Sequence, residues 1–388
     1  MSVLNVADPP ILQEEELNLF SQSALKFFRE RAPEERQQRW RDDGMVDRAF
    51  WAEAGQAGLL GVSVPAEHGG AGGDFRHDIM LFRAQVQAGV DGFNASLHNG
   101  IVVPYVVAHG TEPQKKRWLP RLCSGEMIAA IAMSEPAVGS DLQNIKATAR
   151  REGDGYRISG AKTFISSGQL ANFIVVAAKT DPSQGAKGVS LLVVESERAH
   201  GFRRGRKLKK MGQDAADTSE LFFDDVFVPA DALLGEVEGQ GFRQLMTELP
   251  RERLVIAIGS MAAIERALEV TLDYVRERKA FGKSILSFQN TQFKLADLKT
   301  EASAAKVFVN YCIEQCLLGR LDTTTASMAK LLVTELQGKV VDICLQFHGG
   351  YGYMDEYPIS RMYRDARVSR IYGGSNEIMR MIIARSLQ

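Results

Sequence analysis

From Gly155 to Ser166 the chain reads GYRISGAKTFIS, and three runs that follow it have the same character: NFIVVAAKT from Asn172, GVSLLVVES from Gly188 and SELFFDDVFVP from Ser219. Each is short, rich in β-branched and aromatic residues, near a period of two, and bounded by Gly, Pro, Ser or Asp turns. Together they predict an antiparallel β-sheet domain over residues 129–238. This stretch decides the fold, because the sequence on either side of it has a helical period.

Upstream, over residues 1–128, Leu19, Phe20, Ala24, Leu25, Phe27 and Phe28 fall on one helical face, and WAEAGQAGLLGVSVP reads as a helix running into a loop. AEHGGAGGDF is a Gly-rich break, after which HDIMLFRAQVQAG and LHNGIVVPYVVAHG resume a helical pattern. Downstream, over 239–388, long periodic segments near 241–277, 288–317 and 323–346 suit a four-helix bundle. The expected class is therefore α+β, in the order helix, sheet, helix.

Composition narrows the function. The chain has 388 residues, is 45% hydrophobic and 24% charged, and balances 47 Lys and Arg against 48 Asp and Glu. A net charge of -1 gives no electrostatic case for nucleic acid or an acidic membrane surface, so small-molecule ligands are expected. Within FRRGRKLKK the basic residues read as a solvated strand edge in preference to a phosphate contact. Cys123, Cys312, Cys316 and Cys344 form no CxxC pair and suit a reducing compartment, with Cys312 and Cys316 read as core packing. The N-terminus MSVLNVADPPILQEEELNLF has neither a signal-peptide nor a transit-peptide pattern, and no uninterrupted apolar run of about 18 residues occurs. The expected location is a bacterial cytoplasm, or the mitochondrial matrix for a processed eukaryotic chain.

The Gly-rich stretches GGAGGD and GGYGY do not follow a strand and lack GxGxxG spacing, and no GxSxG, GxxxxGK[ST] or HExxH motif is present. Polar, Gly-bearing segments instead sit at the domain seams: IAMSEPAVGSD, AKTFISSG, RERKAFGK and LQFHGGYGYMDEYP. On AMSEPAVGSD and QFHGGYGYMDEYPISRMYRD the chain resembles the acyl-CoA dehydrogenases over nearly all of its length. Two departures are visible: Ala137-Val138 where the family usually has Gly-Ala, and Phe164 where many members have Trp.

The resemblance implies FAD at the seam between the sheet and the C-terminal bundle. It would be met by Ile131, Met133, Ser134, Gly139 and Ser140, and by Phe164, Ile165 and Ser166. Arg278, Phe281 and Gln289, with Gln346, Gly349 and Gly350, would reach a neighbouring subunit's FAD in a homotetramer built as a pair of dimers. An ordinary helix-terminal cation is the plain alternative for Arg278. Ser375 and Glu377 would lie near the flavin.

Family chemistry takes a proton from the α carbon of an acyl-CoA and a hydride from its β carbon, and electrons pass on to an electron-transfer flavoprotein. Most members place the base, a Glu, where this chain has Gly373. Two branches, the long-chain and isovaleryl enzymes, carry it on the helix that opens the C-terminal domain. TELPRERLVIA resembles the long-chain branch, and Glu252 matches its base, with Arg253 as a cofactor- or substrate-side cation. Glu248, one turn earlier, competes for the role, and Pro250 between them can disturb the register. Gly373 keeps a backbone N–H for the thioester, with Gly374 and Ser140 also on the substrate side. An acyl-CoA oxidase, or a non-catalytic FAD and acyl-CoA binding protein, are the other readings.

Overall fold

The computed structural model describes residues 3–388. Seven helices come first: α1 (Glu15–Arg31), α2 (Glu34–Asp43), α3 (Arg48–Gln56), α4 (Phe75–Ala88), the short α5 (Ala95–Leu97), α6 (Val103–His109) and α7 (Glu112–Cys123). Three start on side-chain caps, where Asp47, Asp74 and Thr111 accept from the amides of Phe50, Arg76 and Gln114. In α1 the buried face is Leu17, Ala24 and Phe28, whereas Leu19 points to solvent. A residue two places from Leu17 is turned about 200° around the axis, so the expected face was too wide. A π-helical turn, His98–Val102, joins α5 to α6.

Seven strands follow: β1 (Ala129–Ala132), β2 (Thr148–Glu152), β3 (Gly155–Ser166), β4 (Phe173–Lys179), β5 (Val189–Glu195), β6 (Phe202–Lys207) and β7 (Thr218–Pro229). Pairs β2–β3, β3–β7, β6–β7 and β4–β5 are antiparallel, but β1 runs parallel to β4, as does β2 where Thr148 meets Lys179. The sheet is therefore mixed, which corrects the purely antiparallel expectation. The reason lies in NFIVVAAKT: every residue of β4 is buried, so it is covered on both faces like a strand of a parallel sheet. Phe173, Val175 and Ala177 pack on Trp118, Leu119 and Leu122 of α7, and Ile174, Val176 and Ala178 pack on Ile158, Leu221 and Phe223. The basic run lies along β6, which pairs with β7 alone, at the sheet edge. There Arg203 sits 4.3 Å over the Phe222 ring, and Arg204 donates to the carbonyl of Gly168 at 3.1 Å.

The chain then re-enters helix. α8 (Gly241–Glu277) runs 37 residues without a break at Pro250. A small hairpin, β8 (Lys279–Ala280) and β9 (Lys283–Ser284), leads to α9 (Gln289–Leu317), α10 (Thr323–His348), α11 (Pro358–Ala366) and α12 (Asn376–Arg385). α8, α9 and α10 pack on one another, with α11 against α8 and α10 and α12 against α10, and α8 also packs on α4, α6 and β5. One apolar core runs from Phe28 and Phe50 in the first helices and Phe93 in the α4–α5 loop to Leu254, Leu298 and Val333 in the C-terminal helices. Cys123, Cys312 and Cys344 are buried in these cores as free thiols, and burial pushes Cys312 up to about 12. Among the described residues, no helix is long and apolar enough to cross a membrane.

A buried ion pair stitches the loop after β1 into the sheet. The Lys162 ammonium, inaccessible to solvent, donates to Glu135 Oε1 at 2.9 Å and to the carbonyl of Met133 at 3.0 Å. Glu135 also accepts from the amides of Lys146 at 2.6 Å and Ala147 at 2.9 Å. Lys162→Met leaves that carboxylate buried without its cation, and a loss of about 3–5 kcal/mol is expected. The chemical-denaturation midpoint measures it, and an unchanged midpoint contradicts the role given to this pair.

Candidate active site

Three consecutive residues of α8 fan out to three neighbours, because each helical step turns about 100°. Arg251 Nη2 lies 3.4 Å from Asp78 Oδ2 on α4. Glu252 Oε1 accepts a 2.6 Å hydrogen bond from the Tyr105 hydroxyl on α6. Arg253 Nη1 donates to Ser327 Oγ on α10 at 3.2 Å. Glu252 is 4% exposed, and burial raises its carboxyl to about 7, with the charge of Glu248 adding and the Tyr105 bond and the two arginines opposing.

Glu248 faces the same helix, its Oε1 3.0 Å from His109 Nε2. The two contacts are four residues apart on both α8 and α6, so Pro250 leaves the register intact. The two carboxylates differ in their partners: Glu248 is paired with an imidazole, while Glu252 meets a neutral phenol.

Gly373 sits over the next turn of α8. Its φ is +63°, and a Cβ built there would stand 2.3 Å from Ile256 Cδ1, so the side chain of Ile256 fills the space that a residue 373 side chain needs. Ile256 is four residues past Glu252, hence on the same face of α8. The structure thus brings Glu252 and Gly373 to one side of α8, with Arg253 turned toward α10 and Gly374 tied to Lys330 of α10. Ser375 stands at the N-cap position of α12 and Glu377 in its exposed first turn.

The sheet-side residues form a second group. β3 shifts register between Lys162 and Ile165, and within that irregularity Phe164 adopts φ +58°. The bulge turns Phe164 outward, 71% exposed, while Ile165 stays buried. Thr163 N donates to the Ser134 carbonyl at 3.0 Å, which sets Ile131, Met133 and Ser134 beside this strand. Ser134 and Ser166 are half-buried, Gly139 and Ser140 exposed, and a Cβ at Gly139 would meet nothing within 4 Å. A bare aromatic face flanked by small polar residues suits a flat ring with polar edges, such as isoalloxazine.

The remaining predicted residues lie elsewhere in the chain. Arg278 is the C-cap of α8, 26 positions past Glu252 and so about 39 Å along the helix. Its guanidinium lies 5.4 Å over the ring of Tyr351. Phe281, Gln289, Gln346, Gly349 and Gly350 are all exposed around it, Phe281 at 95%. Within one chain these do not join the Glu252 group.

Sequence reasoning missed Tyr105, Ile256 and Lys330, whose ammonium donates to the Gly374 carbonyl at 2.9 Å. The signal for Tyr105 and Lys330 was polar residues recurring at helical spacing, Tyr105 with His109 and Lys330 with Ser327 and Thr334. Ile256 gave none.

Raising a carboxyl on folding means the charged form is disfavoured in the native state. The resulting penalty is absent well below the ordinary carboxyl range, grows as pH rises through it, and is full above about 7. Its size is on the order of 3 kcal/mol. Glu252→Gln keeps the shape and an acceptor for Tyr105, so its melting temperature should gain on the parent protein between pH 5 and 8 and then level off. A difference independent of pH contradicts the enclosed-carboxylate geometry.

Residues 14–126, 130–226 and 239–388 match the N-terminal, middle and C-terminal domain models of acyl-CoA dehydrogenase. Over 374 residues the chain is 45% identical to the mitochondrial long-chain specific acyl-CoA dehydrogenase of Rattus norvegicus, covering 96% of this chain and 86% of that one. It is 38% identical over 342 residues to the mitochondrial isovaleryl-CoA dehydrogenase of Solanum tuberosum, covering 88% and 82%. The crystal structure of an acyl-CoA dehydrogenase from Geobacillus kaustophilus superposes with a TM-score of 0.95 at 45% identity, covering 98% of this chain and 100% of that one. With three domain models matched in order and this fold, the chain belongs to the acyl-CoA dehydrogenase family of FAD-dependent oxidoreductases.

Proposed function

We propose that this protein converts a medium- or long-chain acyl-CoA thioester to its trans-2-enoyl-CoA, with Glu252 as the base. The observation that carries the reading is an enclosed carboxylate poised near neutrality on the face of α8 that also meets Gly373. Glu252 accepts the proton of the α carbon, and Tyr105 holds the oxygen that does not. The Gly373 N–H donates to the thioester carbonyl and stabilises the negative charge that develops there. Ile256 fills the remaining space and helps exclude water. FAD, when bound, takes up the hydride from the β carbon.

Ile131, Met133, Ser134, Gly139 and Ser140 would hold the flavin with Phe164, Ile165 and Ser166, and Ser375 and Glu377 would border it. Arg278, Phe281, Gln289, Gln346, Gly349 and Gly350 suit the pyrophosphate side of a second subunit's FAD, since they offer a cation and bare glycine backbone far from their own Glu252. This supports a homotetramer built from dimers. Arg253, Ser140 and Gly374 stand on the substrate side. An electron-transfer flavoprotein is the proposed electron acceptor. The proposed setting is a bacterial cytoplasm or, for a processed chain, the mitochondrial matrix. The higher identity to a long-chain than to an isovaleryl enzyme favours straight over 3-methyl-branched chains.

A panel of acyl-CoAs of graded length and branching, scored by anaerobic flavin bleaching, tests the reading. Medium to long straight chains should bleach fastest. The rate should rise with pH through about 7 and then level, because only the carboxylate can accept the proton. Turnover should proceed with electron-transfer flavoprotein and consume no oxygen. Stoichiometric oxygen uptake would establish an oxidase, and no bleaching by any acyl-CoA would leave a binding protein.

A further inference from the structure

α10 buries a polar stripe at helical spacing, Ser327, Lys330, Thr334 and Gln337, beside the apolar Ala326 and Val333. Within it Lys330 is 0% exposed. Taking an ammonium out of water costs several kcal/mol unless good partners compensate, so its partners say what it holds. Nζ donates to the Gly374 carbonyl and to Asn376 Oδ1, each at 2.9 Å. Burial, with the charge of Arg253 next, pulls Lys330 down to about 8, while Glu335 and Glu377 oppose.

Both bonds lead to the same turn. Asn376 passes the anchorage back to α10, its Nδ2 donating to Thr334 Oγ1 at 3.0 Å and to Glu335 Oε1 at 2.9 Å. On the other side of the turn, Arg370 donates to the carbonyls of Thr334 at 3.4 Å and Glu335 at 3.3 Å. Arg370 fits because residue 338 is glycine, where a Cβ would stand 1.8 Å from its Nη2. Between these anchors lie Gly373 and Gly374, with φ of +63° and +89°. Two adjacent glycines in left-handed conformations have many alternatives open to them, and the anchors select one.

We propose that Lys330 is a positioning residue for the dehydrogenation: by tying the Gly374 carbonyl and Asn376 to α10, it fixes the direction of the Gly373 N–H. The inference rests on the reading that this N–H meets the thioester carbonyl. Lys330 itself does not touch the reacting atoms. A donor displaced by about 1 Å loses on the order of 100-fold in rate.

The test uses FAD-loaded Lys330→Met and Lys330→Gln. In the Met variant anaerobic flavin reduction should slow by about 10- to 100-fold with little change in the half-saturating acyl-CoA concentration. Gln keeps an uncharged N–H donor group and should lose less, about 3- to 10-fold. A second readout reports the donor directly: the infrared carbonyl stretch of bound, isotopically labelled enoyl-CoA, lowered on binding to the parent enzyme, should move back toward its free value in the variants. A role in stability alone would not move that band. A wild-type rate and a wild-type stretch in either folded variant overturn the assignment. If the parent enzyme is bleached by no acyl-CoA, the dehydrogenase reading fails first and this assignment with it.

Discussion

The backbone at position 373, with φ +63°, is one that residues bearing a side chain rarely adopt. Ile256 adds to this preference for glycine, because its Cδ1 stands 2.3 Å from where a Cβ would be and would have to shift. In the proposed reaction the carboxylate comes from another element. Glu252 lies on α8 one turn before Ile256, so the two residues share a helix face.

The same helix explains the electrostatics. Arg251, Glu252 and Arg253 are neighbours in sequence but point to α4, α6 and α10, which keeps three charges apart in a region with little water. Burial drives the carboxyl toward neutrality, and a neutral Tyr105 hydroxyl orients it without the full stabilisation a cation would bring. Glu248, by contrast, sits against His109. Burial and choice of partner thus separate two glutamates that one helical pattern makes equivalent.

Helix extents in the bundle were legible because period and punctuation agree. Asp322 caps α10 by accepting from the amides of Thr324 and Thr325, and Gly349 ends it with φ +59°. TELPRERL carried the carboxylate that the structure encloses at Glu252, and AMSEPAVGSD the segment that lies beside β3. Sheet topology was not legible: the unbroken apolar run of β4 hints at burial on both faces but does not say which strand lies parallel. The outward turn of Phe164 depends on a register shift between two strands, which no single strand records. Tyr105 and Lys330 each have a role that shows only when their partners, 147 and 44 residues away, are in place. The distance between Arg278 and Glu252 is a fact of the folded helix, which the separate motifs RERKAFGK and TELPRERL do not record.

The most direct test is anaerobic reduction of the FAD-loaded Glu252→Gln protein by a saturating long-chain acyl-CoA. The account predicts that FAD and acyl-CoA still bind while the rate of bleaching falls by at least about 1,000-fold, because the amide cannot accept the α proton. Bleaching at the wild-type rate would mean that the proton goes elsewhere and that Glu252 is not the base.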